Sequence, residues 1–242
     1  MAGLKFLALT AIAVFLLARG LPQEPLQTPP VERVDCSEAM NVARIGGNFV
    51  ALEVQEDPTK QLPITTTTTL APQNTKTAPG KPNQTYIDTV CSAMKSGTPI
   101  SDATKPDGTF AYAVQQGEQV DCKAAVDYWK KAYSEFGDLP PAFTNYKTAP
   151  YNDANNVSLI SLFNPKEDPT VDCAYFKCAN TGNTAVELKA LLCVTAPKAL
   201  TAKAQPFTED EWKRINTAIN SGSAAVPTAI VVGAAALAAL FL

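Results

Sequence analysis

Residues 171–194 read VDCAYFKCANTGNTAVELKALLCV. Two apolar runs, Val171–Cys178 and Val186–Val194, flank the segment Ala-Asn-Thr-Gly-Asn-Thr-Ala. Asn and Gly enter positive φ at little cost, so the whole stretch reads as a β-hairpin. A turn centred on Gly182 and Asn183 sets Cys173 across from Cys193, close enough to bridge. Side chains alternate between the two faces of a strand. Cys178 is separated from Cys173 by an odd offset, so it points to the opposite face and must find its partner on a helix there.

Further elements extend outward from the hairpin. Val157–Phe163 (VSLISLF) reads as another apolar strand, ended by Asn164-Pro165, and Phe110–Val114 alternates like a strand. Between them lies the clearest helix in the chain. Asp121 is placed to cap it, and Gly137 to end it. Cys122, Val126, Trp129, Tyr133 and Phe136 form one apolar stripe along it. Lys123, Asp127, Lys131 and Glu135 run along its other side in i,i+4 charge pairs.

A second helix starts at Asp35, with Glu38 as the capping-box partner. It carries Met40, Val42, Ala43, Ile45 and Phe49 and is weakened by Gly46-Gly47. Tyr86–Met94 is a short helix. The last helix is announced by Thr208 and Glu211 as a capping box, with Phe207 stapled onto Trp212. Trp212, Ile215 and Ile219 are its buried side. Interleaved helices around an antiparallel hairpin give an α+β class: one sheet with helices packed on both faces, stapled by disulfides into a single domain.

The ends of the chain carry address signals. Residues 1–20 combine Lys5, an apolar core from Phe6 to Ala18, and small residues at Ala18 and Gly20. That core falls short of the ~20 residues a bilayer span needs, so the segment reads as a cleaved secretory signal peptide, the alternative being an uncleaved signal anchor. From Ala224 to Leu242 there is no charged residue, and Asn220, Ser221, Gly222 and Ser223 form a small-residue cluster just before it. This is the layout of a glycosylphosphatidylinositol (GPI) attachment signal with Ser221 as the lipidated residue. Attachment further upstream, near Asn216, would lengthen the polar spacer, and a transmembrane helix is the competing reading. The expected organisation is signal peptide 1–20, Pro-rich spacer 21–34, ectodomain 35–220, and a removed tail 221–242. A Thr/Pro-rich insert at 55–82 interrupts the ectodomain and reads as an extended loop, either O-glycosylated or unmodified.

Composition narrows the chemistry. The 242-residue chain holds 20 Lys+Arg, 23 Asp+Glu and no His, for a net charge of −3. Triads with a His base and His-ligated metals are thereby excluded, and the acidic balance with no basic run argues against nucleic acid. Six Cys on a secreted chain predict three disulfides, with fifteen possible connectivities. The absence of any CxxC pair argues against a metal site. Asn83-Gln-Thr85 and Asn156-Val-Ser158 are N-glycosylation sequons. Lys123, Lys130 and Lys131 are either a small basic patch for anionic glycans or a solvated helix face. No cofactor is expected.

The run AAVDYWKKAYSEF, the apolar VSLISLF, Cys-x4-Cys, the hairpin and Cys193 resemble the CAP superfamily of cysteine-rich secretory proteins, over residues 86–195. Signal peptide, VDCSEAMNVAR, CKAAVDYW, the six-Cys layout, LLCVTAPKAL and PFTEDEWKRI before an apolar end are similar to the GPI-linked surface antigens of Eimeria parasites. The first resemblance implies an α-β-α sandwich with Cys91 paired to Cys178 and Cys173 to Cys193, leaving Cys36 to Cys122. It also implies a cleft of two His and two Glu, whose positions here fall on Lys95, Ala132 and near Asn156, so a metal or hydrolytic role does not carry over. The second implies a non-enzymatic antigen on the outer leaflet of the plasma membrane. Its expected partners are the host cell surface, host antibodies and, through the lipid anchor, the membrane. A CAP-like lipid, sterol or small-ligand carrier and a passive surface coat are the alternatives.

Overall fold

The computed structural model describes residues 30–66, 80–100, 106–179 and 188–221. The elements run β1 (Val31–Val34), α1 (Ser37–Gly46), β2 (Glu53–Val54), β3 (Thr65–Thr66), β4 (Lys81–Pro82), α2 (Gln84–Ser96) and β5 (Thr109–Gln115). They continue α3 (Cys122–Lys130), α4 (Tyr133–Phe136), α5 (Ala154–Leu162), β6 (Thr170–Cys178), β7 (Leu188–Ala196) and α6 (Glu209–Ser221). The main sheet has the order β1-β6-β7-β5, all antiparallel, with β2 added parallel to β6. β3 and β4 form a separate two-stranded ribbon.

The β6–β7 register places Cys173 opposite Cys193, as the hairpin reading requires. The predicted turn at Gly182 and Asn183 lies outside the described residues, as do the signal peptide, the apolar tail and residues 67–79 of the insert. Alternation along the strands then sorts the core in two. Ala111, Ala113, Val171, Cys173, Tyr175, Leu191 and Cys193 join one buried cluster with α1, α3, α5 and α6. Phe110, Tyr112, Ala174, Phe176, Cys178, Ala190 and Leu192 join the other with α2. The molecule is therefore a mixed α/β protein with helices on both faces of an antiparallel sheet.

Several expectations are corrected. Val157–Phe163 is not a strand: it lies in α5, where Asp153 caps the helix by accepting from the backbone N–H of Asn155 at 2.7 Å and Asn156 at 3.3 Å. Every residue from Asn156 to Leu162 is buried, and a helix buried all round shows a continuous apolar run that periodicity cannot tell from a strand. The helix closes the open edge of β5. Ser161 Oγ donates to the Thr109 carbonyl (2.8 Å), Ser158 Oγ accepts from Tyr112 N–H (3.1 Å), and Trp129 of α3 donates Nε1–H to the Tyr112 carbonyl (2.9 Å).

α1 also differs from its expected pattern. Cys36 is the residue before it, and Asp35 instead accepts from Ser37 N–H in a turn (2.9 Å). Val42 and Ile45 are 72% and 67% exposed, and the buried side is Met40, Ala43 and Arg44. The expected weak point Gly47 has a packing role: a Cβ there would lie 3.1 Å from the Arg214 carbonyl oxygen of α6.

The striped helix stops at Lys130, and Tyr133–Phe136 is a separate turn. Beyond the break, Tyr133 and Phe136 pack on Trp212 with centroids 4.7 and 5.8 Å away, a tertiary contact that overrides the continuous helical pattern. Asp121 does cap α3, accepting from Ala124 N–H at 2.8 Å, and Gly137 follows α4 with φ of 67°. The α6 capping box forms as read, Thr208 N–H donating to Glu211 Oε2 at 2.7 Å, and Phe207 stacks on Trp212 at 5.9 Å.

The 21–34 spacer ends in a strand, β1, so the sheet begins before residue 35. The Thr/Pro insert likewise has a folded base. Leu62 and Ile64 are buried under α2's side of the sheet, and Thr65–Thr66 pairs with Lys81–Pro82. Arg33 of β1 and the buried Asp172 of β6 form an ion pair that grips Leu62 from both sides. Leu62 N–H donates to Asp172 Oδ2 at 2.7 Å, and its carbonyl accepts from Arg33 Nη2 at 3.0 Å.

Arg44 is fully buried and its hydrogen bonds go to carbonyls. Its guanidinium donates to Val50 (2.6 and 2.8 Å), Leu162 (2.8 Å) and Asn164 (3.0 Å). Leu162 closes α5, so the cation meets the negative end of that helix. Burial pulls the guanidinium down to about 10 from its ordinary value, so it remains charged at neutral pH. Arg44→Ala removes the donor from the buried carbonyls of Leu162 and Asn164 and from that of Val50. It is expected to lower stability by about 3 kcal/mol or more, read as a fall in the denaturant midpoint. Arg44→Lys keeps the charge without the fork and should fall between. Wild-type stability in Arg44→Ala would remove the argument.

Burial pushes the Tyr86 and Tyr151 phenols well up and that of Tyr112 up to about 12, with Asp172 adding to the effect at Tyr86. The unfolded chain loses phenolic protons near pH 10, while these groups keep theirs in the fold. Their contribution is fully present below about pH 10 and is lost as pH rises through the folded values. Phenolate absorbance should therefore appear in two stages, the second coinciding with unfolding. A single stage near pH 10 with the fold intact would contradict this.

Candidate functional site

The disulfides are the best-defined chemical groups in the molecule. Cys36, at the junction of β1 and α1, bridges to Cys122, the first residue of α3, with Cα atoms 5.4 Å apart. Cys91 of α2 bridges to Cys178 at the end of β6 (5.6 Å), and Cys173 to Cys193 across the central hairpin (4.1 Å). Two bridges lie in the cluster on one sheet face and the third lies in the other, so both helical layers are covalently tied. Each is worth about 2–4 kcal/mol.

Cys36, Cys173 and Cys193 converge, their three Sγ atoms lying within 4.8 Å of one another. All three are buried and oxidised, and a bridged sulfur offers no thiolate to a metal. The cluster is thus two neighbouring disulfides, with sulfurs within 4.8 Å of one another. It borders a cleft of about 290 Å³ lined by Arg33, Asp35, Cys36, Val54, Gln61 and Cys173 among others. A second cleft, about 440 Å³, lies between the end of β5 and α3, where Val114, Gln115, Gln116, Gln119, Asp121 and Tyr128 face it. Both carry acids and amides beside short apolar stretches.

The positions that the CAP pattern assigns to its cleft are not brought together. Lys95 lies on α2, over one sheet face, and donates to the Ala179 carbonyl at 2.6 Å. Ala132 is buried in the cluster on the other face. Asn156 is buried near the start of α5, its Nδ2 donating to the Pro150 carbonyl at 3.0 Å while its Oδ1 has no partner.

The lysines of α3 are part-neutralised. Lys123 donates to Asp127 at 2.5 Å, which raises the lysine's pKa, and Lys130 lies 3.8 Å from the same carboxylate. This favours a solvated helix face over a basic patch. Asn83 is the residue before α2. It is half-buried, accepting from Tyr86 N–H at 3.3 Å and donating to the Pro63 carbonyl at 2.9 Å. Ser221 is the last residue of α6.

Sequence reasoning missed Arg44, the Arg33–Asp172 clamp and the closeness of the two disulfides. The only advance signal for Arg44 was its place one turn after Met40, on the buried side of α1. The closeness of two bridges depends on how α1 meets the sheet, which no local pattern reports.

Comparison with known proteins bears on the whole chain. The Sporozoite surface antigen (SAG) protein domain matches residues 32–233, from β1 into the apolar tail. The chain is similar to the sporulated oocyst TA4 antigen of Eimeria tenella, with 29% identity over 261 aligned positions that cover 100% of each chain. No solved structure matches it. The chain belongs to the sporozoite surface antigen family.

Proposed function

We propose that the protein is a non-enzymatic surface antigen held on the outer leaflet of the plasma membrane by a GPI anchor. There it attaches to host cells and faces host antibodies. The observation that carries the reading is the family match, which runs through the folded residues into the apolar segment after α6. Among the described residues no helix is long and apolar enough to cross a membrane. The arrangement of helices on both sheet faces supports a CAP-like ectodomain. The carrier reading is less favoured, because both clefts are small for ligand sites, which usually span about 300–1,000 Å³, and are lined in part by charged and amide side chains.

Ser221 suits the lipid better than Asn216. Ala218 is buried beside Gly46 of α1, and Ile219 packs on the same cluster. Attachment at Asn216 would remove both from the fold, whereas attachment at Ser221 keeps α6 whole.

Treatment of intact expressing cells with phosphatidylinositol-specific phospholipase C is expected to release the protein. The released ectodomain is then expected to bind host cells. A C-terminal peptide still carrying Ala224–Leu242 in mass spectrometry would sink the anchor, and failure of the released ectodomain to bind would sink attachment.

The two sequons should differ. A glycan on Asn156 would have to pass through the packed start of α5, while Asn83 is half-exposed at a helix start. Glycopeptide mapping is expected to find sugar on Asn83 and none on Asn156. An occupied Asn156 in folded protein would contradict the packing described.

A further inference from the structure

We propose that the two neighbouring disulfides form a thiol–disulfide exchange site for a small thiol, a chemical activity separate from attachment. Three observations combine. The sulfurs of Cys36, Cys173 and Cys193 lie within 4.8 Å of one another although they belong to two different bridges. Cys122, the outer end of the first bridge, is half-buried where the other three are buried. Cys36 and Cys173, one residue of each bridge, both border the 290 Å³ cleft.

The more exposed end of the outer bridge, Cys122, decides the order of events. A small thiol gives its proton to solvent and attacks Cys122 Sγ as thiolate. An S–S bond forms between the two, the Cys36–Cys122 bond breaks, and the electron pair leaves on Cys36 Sγ. That new thiolate already sits beside the Cys173–Cys193 bridge. Exchange requires a thiolate next to a disulfide sulfur, and here the fold supplies the juxtaposition. Attack forms a bond from Cys36 to one of the pair and releases the other as thiolate, which takes up a proton. The external thiol stays bound to Cys122, so the number of disulfides rises by none and falls by none. The consequence is structural: α3 loses its tether to α1, while the sheet keeps a covalent link to the start of α1.

The direction is testable because the two ends of the outer bridge are not equivalent. Cys122→Ser leaves Cys36 as the unpaired sulfur inside the cluster. Alkylation after acid quench, followed by peptide mapping of the secreted ectodomain, is expected to find the free thiol spread over Cys36, Cys173 and Cys193. Peptides linking Cys36 to Cys173 or Cys193 should accompany it. Cys36→Ser leaves Cys122 unpaired outside the cluster, and label is expected on Cys122 alone. Cys178→Ser, which frees Cys91 in the other core cluster, should likewise keep its label on Cys91. Label confined to Cys36 in Cys122→Ser would overturn the proposal.

Wild-type protein gives a second reading that does not depend on any variant folding. With limiting reduced glutathione, the expected product carries glutathione on Cys122 and a Cys36 link to Cys173 or Cys193. Partly reduced molecules that all retain Cys173–Cys193 would overturn it equally.

Discussion

The register between β6 and β7 is the constraint on which the rest of the structure depends. Side chains on a strand alternate with a period of two, so a one-residue slip would exchange the faces of every residue in the hairpin. The observed register opposes Cys173 to Cys193 and sends Cys178 to the other face. The hairpin bridge therefore reads the register out: Cys173 meets Cys193 only if the two strands are aligned this way, while Cys178 reaches Cys91 of α2 from the other face. Two layers of helix can then be attached independently, α2 through Cys91 and α3 through its link to Cys36.

A sheet of four strands in a row still has two edges, and an open edge invites pairing with another chain. β5 is closed by side chains rather than by another strand. Ser158, Ser161 and Trp129 take up backbone groups of Thr109 and Tyr112. The same helix receives Arg44 at its C-terminal end, so α1, α5 and the β5 edge form one connected set of polar contacts inside an apolar cluster. At the opposite edge β1 and β2 follow one another along β6, and the Arg33–Asp172 pair pins the base of the Thr/Pro insert beside them. On the proposed display at a cell surface, such closure guards against edge-to-edge pairing between copies.

The legible parts of the fold were those with local chemistry. The hairpin register, the Asp121 cap, the Thr208–Glu211 capping box and the Phe207–Trp212 staple all follow from residues within a few positions of one another. α5 was misread because its apolar residues surround the helix. Its polar residues carried the missing signal: Ser158, Ser161 and Asn164 recur at every third position, and all three hydrogen-bond toward β5 or the segment after β7. That is a helical interval, not a strand's. Arg44 was opaque for another reason, since a charged residue on a short helix reads as solvated until the carbonyls that receive it are known. The candidate site was legible only as a set of cysteines. Their proximity across two bridges arises from tertiary packing of α1 on the sheet.

The order of the elements also says how the ectodomain would bear a load. Among the described elements, α6 comes last, and no cysteine follows Cys193. α6 is therefore held without a covalent bridge, by Trp212 among Tyr133, Phe136 and Phe207, Ile215 in the core, Ala218 beside Gly46 of α1, and Arg214, which donates to the Asn48 carbonyl at 2.9 Å. α1 in turn is tied through Cys36 to α3 and is continuous with β1 of the sheet. On the proposed anchoring, a pull from the membrane meets the non-covalent contacts of α6 first and reaches the covalent framework only through α1. The bridges thus protect the sheet and its helices, while the segment nearest the membrane depends on aromatic packing and on the glycines that let two helices approach.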